Sequence, residues 1–149
     1  MPGTYTRLLV HVVFSTKNRA PAIAPDTADR LYAYIGGVIR SEGGTLLCAG
    51  GVEDHVHLLI QCRADGAFSD LMRALKAKSS RWIHETFPDR ADFAWQEGYA
   101  AFSVSRSGEA KVRTYLAGQR EHHRTMSFLE ELEELLTLHG VEFERKYLA

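Results

Sequence analysis

A chain of 149 residues has room for one hydrophobic core and is too short for two of ordinary size. Its 45% hydrophobic and 25% charged residues match an average globular composition, which excludes a disordered, collagen-like or disulfide-stapled chain. Eighteen basic against nineteen acidic residues leave a formal charge of −1; taken alone, this speaks mildly against a nucleic-acid binder, whose usual footprint is strongly basic.

Tyr5 to Phe14 alternate, with Thr6, Leu8, Val10, Val12 and Phe14 on one side and Tyr5, Arg7, Leu9, His11 and Val13 on the other, which predicts a first strand. Its apolar part is broken by His11 and falls well short of the ~20 residues of a membrane helix, and it has the wrong form for a secretory leader. After a loop with Pro21 and Pro25, Asp26 is expected to cap a helix carrying Leu31, Tyr34, Ile35, Val38 and Ile39 at helical spacing, stopped by Gly43-Gly44. Strands follow at about Thr45 to Val52 and His55 to Cys62, joined through Glu53-Asp54 as an antiparallel hairpin. Ser69 and Asp70 open a second helix to about Phe87, with Leu71, Met72, Leu75, Trp82 and Ile83 on its apolar stripe and Pro88 at its end. Tyr99 to Ser105 form a fourth strand. Ser107-Gly108 lead into a helix through roughly His122, and Ser127-x-x-Glu130 is a capping box for a last helix closed by Gly140.

The order predicts an α+β fold, a ferredoxin-like split β-α-β-β-α-β antiparallel sheet with two additional C-terminal helices. Residues 1–149 read as a single domain, with 1–125 as a catalytic body and 126–149 as an acidic C-terminal helix and tail. Cys48 and Cys62 stand apart with no C-x-x-C pair, so a reduced, cytoplasmic setting is expected.

Two short motifs could carry chemistry. In His55-Val56-His57 the period of a strand puts both imidazoles on one face while Val56, Leu58 and Ile60 point into the core. Such a pair can hold one metal ion and leave open positions for water or a phosphate oxygen. Seven histidines in 149 residues give an H-x-H by chance about 0.3 times per chain, so a packed core pair is the standing alternative. Tyr115 and Gln119 lie four apart on one helical face, where the amide oxygen could complete a metal site facing the tyrosine hydroxyl; the alternative is a buried tyrosine beside a solvent-facing glutamine. Asp54 could orient the first histidine or serve only as a turn residue. His122 and His123 favour the helix C-terminal dipole, and His11 reads as a packed or network residue.

In this order the segments resemble the HUH single-tyrosine transposases of the insertion sequence 200/605 type and the related REP-associated tyrosine transposases. The resemblance rests on Phe14-Ser15-Thr16-Lys17-Asn18-Arg19, Asp54-His55-Val56-His57-Leu58-Leu59, Trp95-Gln96-Glu97-Gly98-Tyr99 and Phe102-Ser103-Val104-Ser105. It continues through Tyr115-Leu116-Ala117-Gly118-Gln119 and His122-His123 to Gly140-Val141-Glu142-Phe143. Ala100 departs from the glycine expected after Tyr99 and touches only loop geometry. The resemblance implies that His55, His57 and Gln119 hold a divalent metal, Mg²⁺ or Mn²⁺, and that Tyr115 is the nucleophile. It implies cleavage of hairpin-bearing single-stranded DNA through a 5′-phosphotyrosine with a free 3′-OH, and a homodimer whose sheets join. The alternating first strand could supply that edge. No membrane and no nucleotide cofactor are expected.

The charge is unevenly spread. Residues 126–149 hold six acids and two bases, a net of −4, so residues 1–125 carry +3. Lys17 and Arg19 after the first strand, Arg73, Lys76, Lys78 and Arg81 on the second helix, and Lys111 and Arg113 beside the tyrosine are the expected DNA contacts, the alternative being ordinary solvated faces. The competing readings are a domesticated nuclease for repeat-associated hairpins, a catalytically silent DNA-binding regulator, and a small zinc hydrolase using His55, His57 and another histidine.

Overall fold

Strand β1 (Leu8–Ser15) runs through the middle of a four-stranded antiparallel sheet in a computed structural model that describes residues 3–148. Along its length β1 pairs with β3 (His55–Cys62), from Leu8 opposite Cys62 to Ser15 opposite His55, and on its other side with β4 (Ala100–Val104). Strand β2 (Thr45–Val52) closes the order β2-β3-β1-β4, the arrangement a split β-α-β-β-α-β chain produces. Because β1 is bonded on both sides it cannot be the joining edge of a dimer, contrary to expectation; the sheet's outer strands are β2 and β4.

Helices α1 (Pro25–Ser41) and α2 (Phe68–Thr86) cover one face of the sheet. Val12, Phe14, Val56, Leu58 and Ile60 from the strands meet Leu31, Ile35 and Ile39 of α1 and Met72, Leu75 and Ile83 of α2 there, each buried side chain contributing about 1.5–3 kcal/mol. Asp26 is not the cap of α1: Ala24 holds that position with Pro25 as the first helical residue, and Asp26 lies in the first turn, where a carboxylate still favours the helix dipole. The opposite face is built from the C-terminal third. The expected single helix after β4 is broken at Gly118 into α3 (Glu109–Ala117) and α4 (Gln119–His122), followed by α5 (Phe128–Leu138). The capping box of Ser127 and Glu130 is present at the start of α5. Leu116 packs on Leu9 and Leu59, and α5 lays Phe128, Leu132, Leu135 and Leu136 on Val13 and Phe102. Among the described residues no helix is long and apolar enough to cross a membrane.

Two features pin the tyrosine helix to β2. A register shift between Leu46 and Cys48 takes the Leu47 carbonyl out of the ladder, and Arg113 Nη1 donates to it at 3.0 Å. A Cβ at Gly50 would lie 1.9 Å from the Leu116 carbonyl oxygen, so only glycine lets α3 approach this closely. Gly50→Ala is therefore expected to push α3 outward and cost about 1–3 kcal/mol; urea unfolding of the purified variant measures it, and an unchanged midpoint would refute the close approach.

Candidate metal centre and nucleophile

Even-numbered residues of β1 and β3 point toward α1 and α2, so His11, His55 and His57 emerge on the other face. There they meet α3, α4 and α5. His55 and His57 are fully buried, and Gln119 and Glu131 are 1% exposed.

Each of three imidazoles is held from behind through Nδ1. His55 Nδ1 meets Asp54 Oδ1 at 2.7 Å, His57 Nδ1 meets His11 Nε2 at 2.8 Å, and His123 Nδ1 meets the Met126 carbonyl at 2.7 Å. Their Nε2 atoms converge on one oxygen: Glu131 Oε1 lies 3.3 Å from His55, 2.9 Å from His57 and 3.0 Å from His123. Gln119 Oε1 stands 3.2 Å from His55 Nε2. The other Glu131 oxygen, Oε2, accepts the hydroxyl hydrogen of Tyr115. His122 Nε2 is also near Oε2, at 3.4 Å, but is buried without a hydrogen-bond partner.

Electrostatics follow from this packing. Burial alone raises a carboxyl, yet hydrogen bonds from His123, His55 and His57 hold Glu131 well below the usual carboxylate range. Burial opposes charge on His55 too, but Asp54 and Glu131 outweigh it and lift the imidazole to about 9. His57 is pushed down by burial, and His11 falls to about 3 through burial and its neighbour His57. His57 is therefore a neutral donor to Glu131 and accepts from His11, not a partner in an ion pair. Burial and then the Glu131 carboxylate raise the Tyr115 hydroxyl above its ordinary value, so it is held as a neutral hydrogen-bond donor.

These shifts set a stability optimum for protein kept in chelator. His55 is raised, so its contribution is complete below the unfolded value of about 6.5 and is lost as the pH climbs through 9. His11 and His57 are lowered, so below about 6.5 the unfolded chain binds protons that the folded chain refuses, and stability falls as the pH drops. Urea unfolding should show a maximum at about pH 6–7 and a loss of roughly 1–3 kcal/mol by pH 8.5. A steady rise from pH 5 to 8.5 would contradict this charge assignment.

The donor set fits a divalent cation. His55, His57, His123 and Glu131 each offer one ligand atom, all within 4.8 Å of one another. Asp54 and the Met126 carbonyl, the outer partners of His55 and His123, are acceptors of the kind that orient metal-bound imidazoles, and His11 takes that place behind His57 when His57 carries its proton on Nδ1. His55, His57, Gln119 and Tyr115, named from the sequence, come together here, and Asp54 and His11 take up orienting positions. His123 and Glu131 were not named as ligands. In the sequence Glu131 is one of six acids of the tail, yet it falls on the apolar stripe of α5 with Phe128, Leu132 and Leu135, an anomalous place for an acid.

The expected DNA contacts scatter. Arg73, Lys76, Lys78 and Arg81 belong to α2, across the sheet from the histidines, because both crossover helices of this topology share one face. Lys76 Nζ donates to the Gln96 and Gly98 carbonyls at 2.6 and 2.7 Å, which employs it in holding that turn. Arg113 is likewise engaged, with Glu109 at 3.1 Å and with Leu47. Lys78 faces Glu42 at 3.7 Å and Arg73 faces Asp70 at 2.8 Å, both exposed. Lys17, Arg81 and Lys111 are exposed. Asn18 and Arg19 are consecutive non-glycine residues in the left-handed region, φ +57° and +55°, a conformation costing about 1–3 kcal/mol each.

Comparisons agree with this architecture. The family described as "Transposase IS200 like" matches residues 4–119. The ISDra2 transposase TnpA of Deinococcus radiodurans is 24% identical over 124 residues, covering 80% of this chain and 89% of its own length. The transposase for insertion sequence element IS200 of Salmonella typhimurium is 27% identical over 119 residues, 76% and 78% of the two chains. Among solved structures, a candidate transposase from D. radiodurans R1 superposes with a TM-score of 0.66 at 25% identity, over 80% of this chain and 95% of that one. A REP-associated tyrosine transposase bound to a REP hairpin shares the fold, with a TM-score of 0.62 at 14% identity over 83% and 73%. The matched span takes in β1, both histidines of β3, Tyr115 and Gln119, while His123 and Glu131 lie beyond it, and the chain belongs to the IS200-like transposase family.

Proposed function

We propose that this protein is a metal-dependent transposase that cuts and rejoins hairpin-bearing single-stranded DNA through a phosphotyrosine at Tyr115. The observation that carries the reading is the single Glu131 carboxylate, with one oxygen at the meeting point of three imidazole Nε2 atoms and the other on the tyrosine hydroxyl. A tyrosine is thereby presented within one carboxylate's width of a metal-ligating cluster.

His55 and His57, with Gln119, His123 and Glu131 beside them, would hold the ion. When bound, Mg²⁺ or Mn²⁺ supplies positive charge that offsets the phosphate oxygens and eases loss of the tyrosine proton. The rest belongs to the chain. Asp54, His11 and the Met126 carbonyl fix the rings, and α3, locked on β2, holds the Tyr115 ring 5.7 Å from that of His57. Tyr115 Oη forms a bond to phosphorus as the P–O3′ bond breaks, leaving a 5′-phosphotyrosine and a 3′-OH that takes up a proton. The ester conserves the bond energy, so a different 3′-OH can displace Tyr115 without a nucleotide cofactor. Tyr115 faces the histidines of its own chain, which supports action in cis. A homodimer, if formed, has β2 or β4 available for joining.

The test is incubation with end-labelled hairpin single strands and Mn²⁺ or Mg²⁺, then a denaturing gel. A covalent DNA-protein band is expected, and its absence with either metal would sink the reading. Mixing Tyr115→Phe with His57→Ala protein separates cis from trans: two inactive variants stay inactive together if each tyrosine serves its own chain, and regain the band if it serves the partner's.

A further inference from the structure

The tyrosine helix has little apolar grip. Its nine residues are too few to hold a helix in water unaided, and two of them are buried: Leu116 in the last turn, packed on Leu9 and Leu59, and Glu109 at the first position. Val112 and Tyr115 pack on the same cluster only in part. The first turn of α3 is therefore seated on a carboxylate that is 6% exposed, and a carboxylate tolerates such a place only where its charge is met.

Two guanidinium groups meet it. Arg7, the residue before β1, donates through Nη2 to Glu109 Oε1 at 2.6 Å, and Arg113, one turn along α3, donates through Nε to Oε2 at 3.1 Å. Arg113 also donates through Nη1 to the Leu47 carbonyl, so one carboxylate joins the helix to β1 and, through a single planar guanidinium, to the bulge of β2. Both arginines hold the Glu109 carboxyl below its usual range, which keeps it charged at neutral pH. Arg106 stands further off, 3.6 Å from Oε1, and is exposed. The tie lies at the far end of the sheet from the metal ligands: Arg7 adjoins Leu8, opposite Cys62, whereas His55 lies opposite Ser15. Glu109 precedes Tyr115 by six residues, about 9 Å along the helix axis. At its other end α3 stops at Gly118, and α4, which carries Gln119, is tied separately by Arg120 to Glu53 at 2.8 Å.

We propose that Glu109 is a positioning residue for the nucleophile: bridged to Arg7 and Arg113, it sets the tilt of α3 on the sheet and thereby the place of the Tyr115 hydroxyl, without touching the metal ligands or the reacting atoms. The inference rests on the strand-transfer reading above. Leu116, with its carbonyl against Gly50, fixes one point of the helix and leaves it free to pivot there; Glu109 supplies the second point that defines an axis. Attack on phosphorus demands close alignment, and a misplacement of about 1 Å can cost about a hundredfold in rate. Because the break at Gly118 separates α3 from α4, a change at Glu109 reaches Tyr115 and leaves Gln119, and with it metal affinity, unaltered.

Glu109→Gln tests it, since it keeps the shape of the side chain and removes the charge. With end-labelled hairpin single strands and Mn²⁺ both saturating, the rate of the covalent band should fall about tenfold, while Mn²⁺ affinity by calorimetry and DNA retention on a native gel stay at wild-type values. Hydrogen exchange read by mass spectrometry should quicken in peptides of α3 and stay unchanged in β3. Arg113→Lys should act as Glu109→Gln does, because an ammonium lacks the fork that serves Glu109 and the Leu47 carbonyl together. Arg7 makes its contact with one nitrogen on one oxygen, so Arg7→Lys should recover part of the rate lost in Arg7→Met. A wild-type rate from Glu109→Gln refutes the anchor while the wild-type covalent band leaves strand transfer standing. A parallel fall in rate, Mn²⁺ affinity and DNA retention refutes it as well, since Glu109 then serves the fold as a whole, and tighter DNA retention at an unchanged rate assigns the arginines to phosphate contacts instead. A wild type that forms no band with either metal overturns strand transfer and, with it, the step that Glu109 serves.

Discussion

Tyr115→Phe is expected to remove covalent attachment to DNA altogether, a loss of at least about a thousandfold, because the Tyr115 hydroxyl is the one held on Glu131 and a lost nucleophile is not replaced by its neighbours. The substitution deletes one oxygen. The ring keeps its edge contacts with His11, His57 and His122, and the stability change should stay within about 3 kcal/mol, the worth of one hydrogen bond to a carboxylate. Retention of labelled hairpin DNA on a native gel should persist, so the variant isolates chemistry from binding. A covalent band of wild-type intensity from Tyr115→Phe would remove the tyrosine from the mechanism.

His57→Ala is expected to have the second largest effect, and on two readouts. Both ring nitrogens are hydrogen-bonded, to His11 and to Glu131, and the side chain is fully buried. Removing it leaves a void and one buried nitrogen of His11 without its partner, a cost of about 2–4 kcal/mol. Mn²⁺ affinity measured by calorimetry should fall by at least about a hundredfold and cleavage with it. Glu131→Gln distinguishes a ligand from a fold element, because it keeps the shape and one acceptor oxygen but loses the charge. It should weaken Mn²⁺ binding while the chain still unfolds cooperatively. If Glu131→Gln binds Mn²⁺ as the wild type does, the carboxylate is only a structural partner of the histidines.

The charge pattern of the sequence acquires a different meaning in three dimensions. The acidic tail segment does not act only as solvent-facing charge, since Glu131 is taken into the cluster and Glu133 pairs with Arg145 at 2.8 Å. The positive body is divided by the sheet. Four of the expected basic contacts lie on α2, away from the histidines, while Arg19 lines a surface cavity together with Asp54 and His123. The +3 of residues 1–125 is therefore not one electrostatic surface.

Local patterning alone determined the order of strands and helices, the shared face of His55 and His57, the shared face of Tyr115 and Gln119, and the capping box at Ser127. Each depends on spacings of two to four residues, and the period of a strand or helix converts such spacings into direction without knowledge of the rest of the chain. Gly118 could not be read as a helix break by the same means, since a glycine is tolerated inside a helical pattern. Tertiary structure decided the central position of β1, the side of the sheet on which each basic group lies, and the recruitment of His123 and Glu131. Glu131 stands 74 positions from His57, and no local period relates two residues so far apart. The only trace in the sequence is an acid on the apolar stripe of α5; what makes it tolerable there is the set of imidazoles delivered by β3 and by His123 just after α4, a match that exists only once the helix has docked on the sheet.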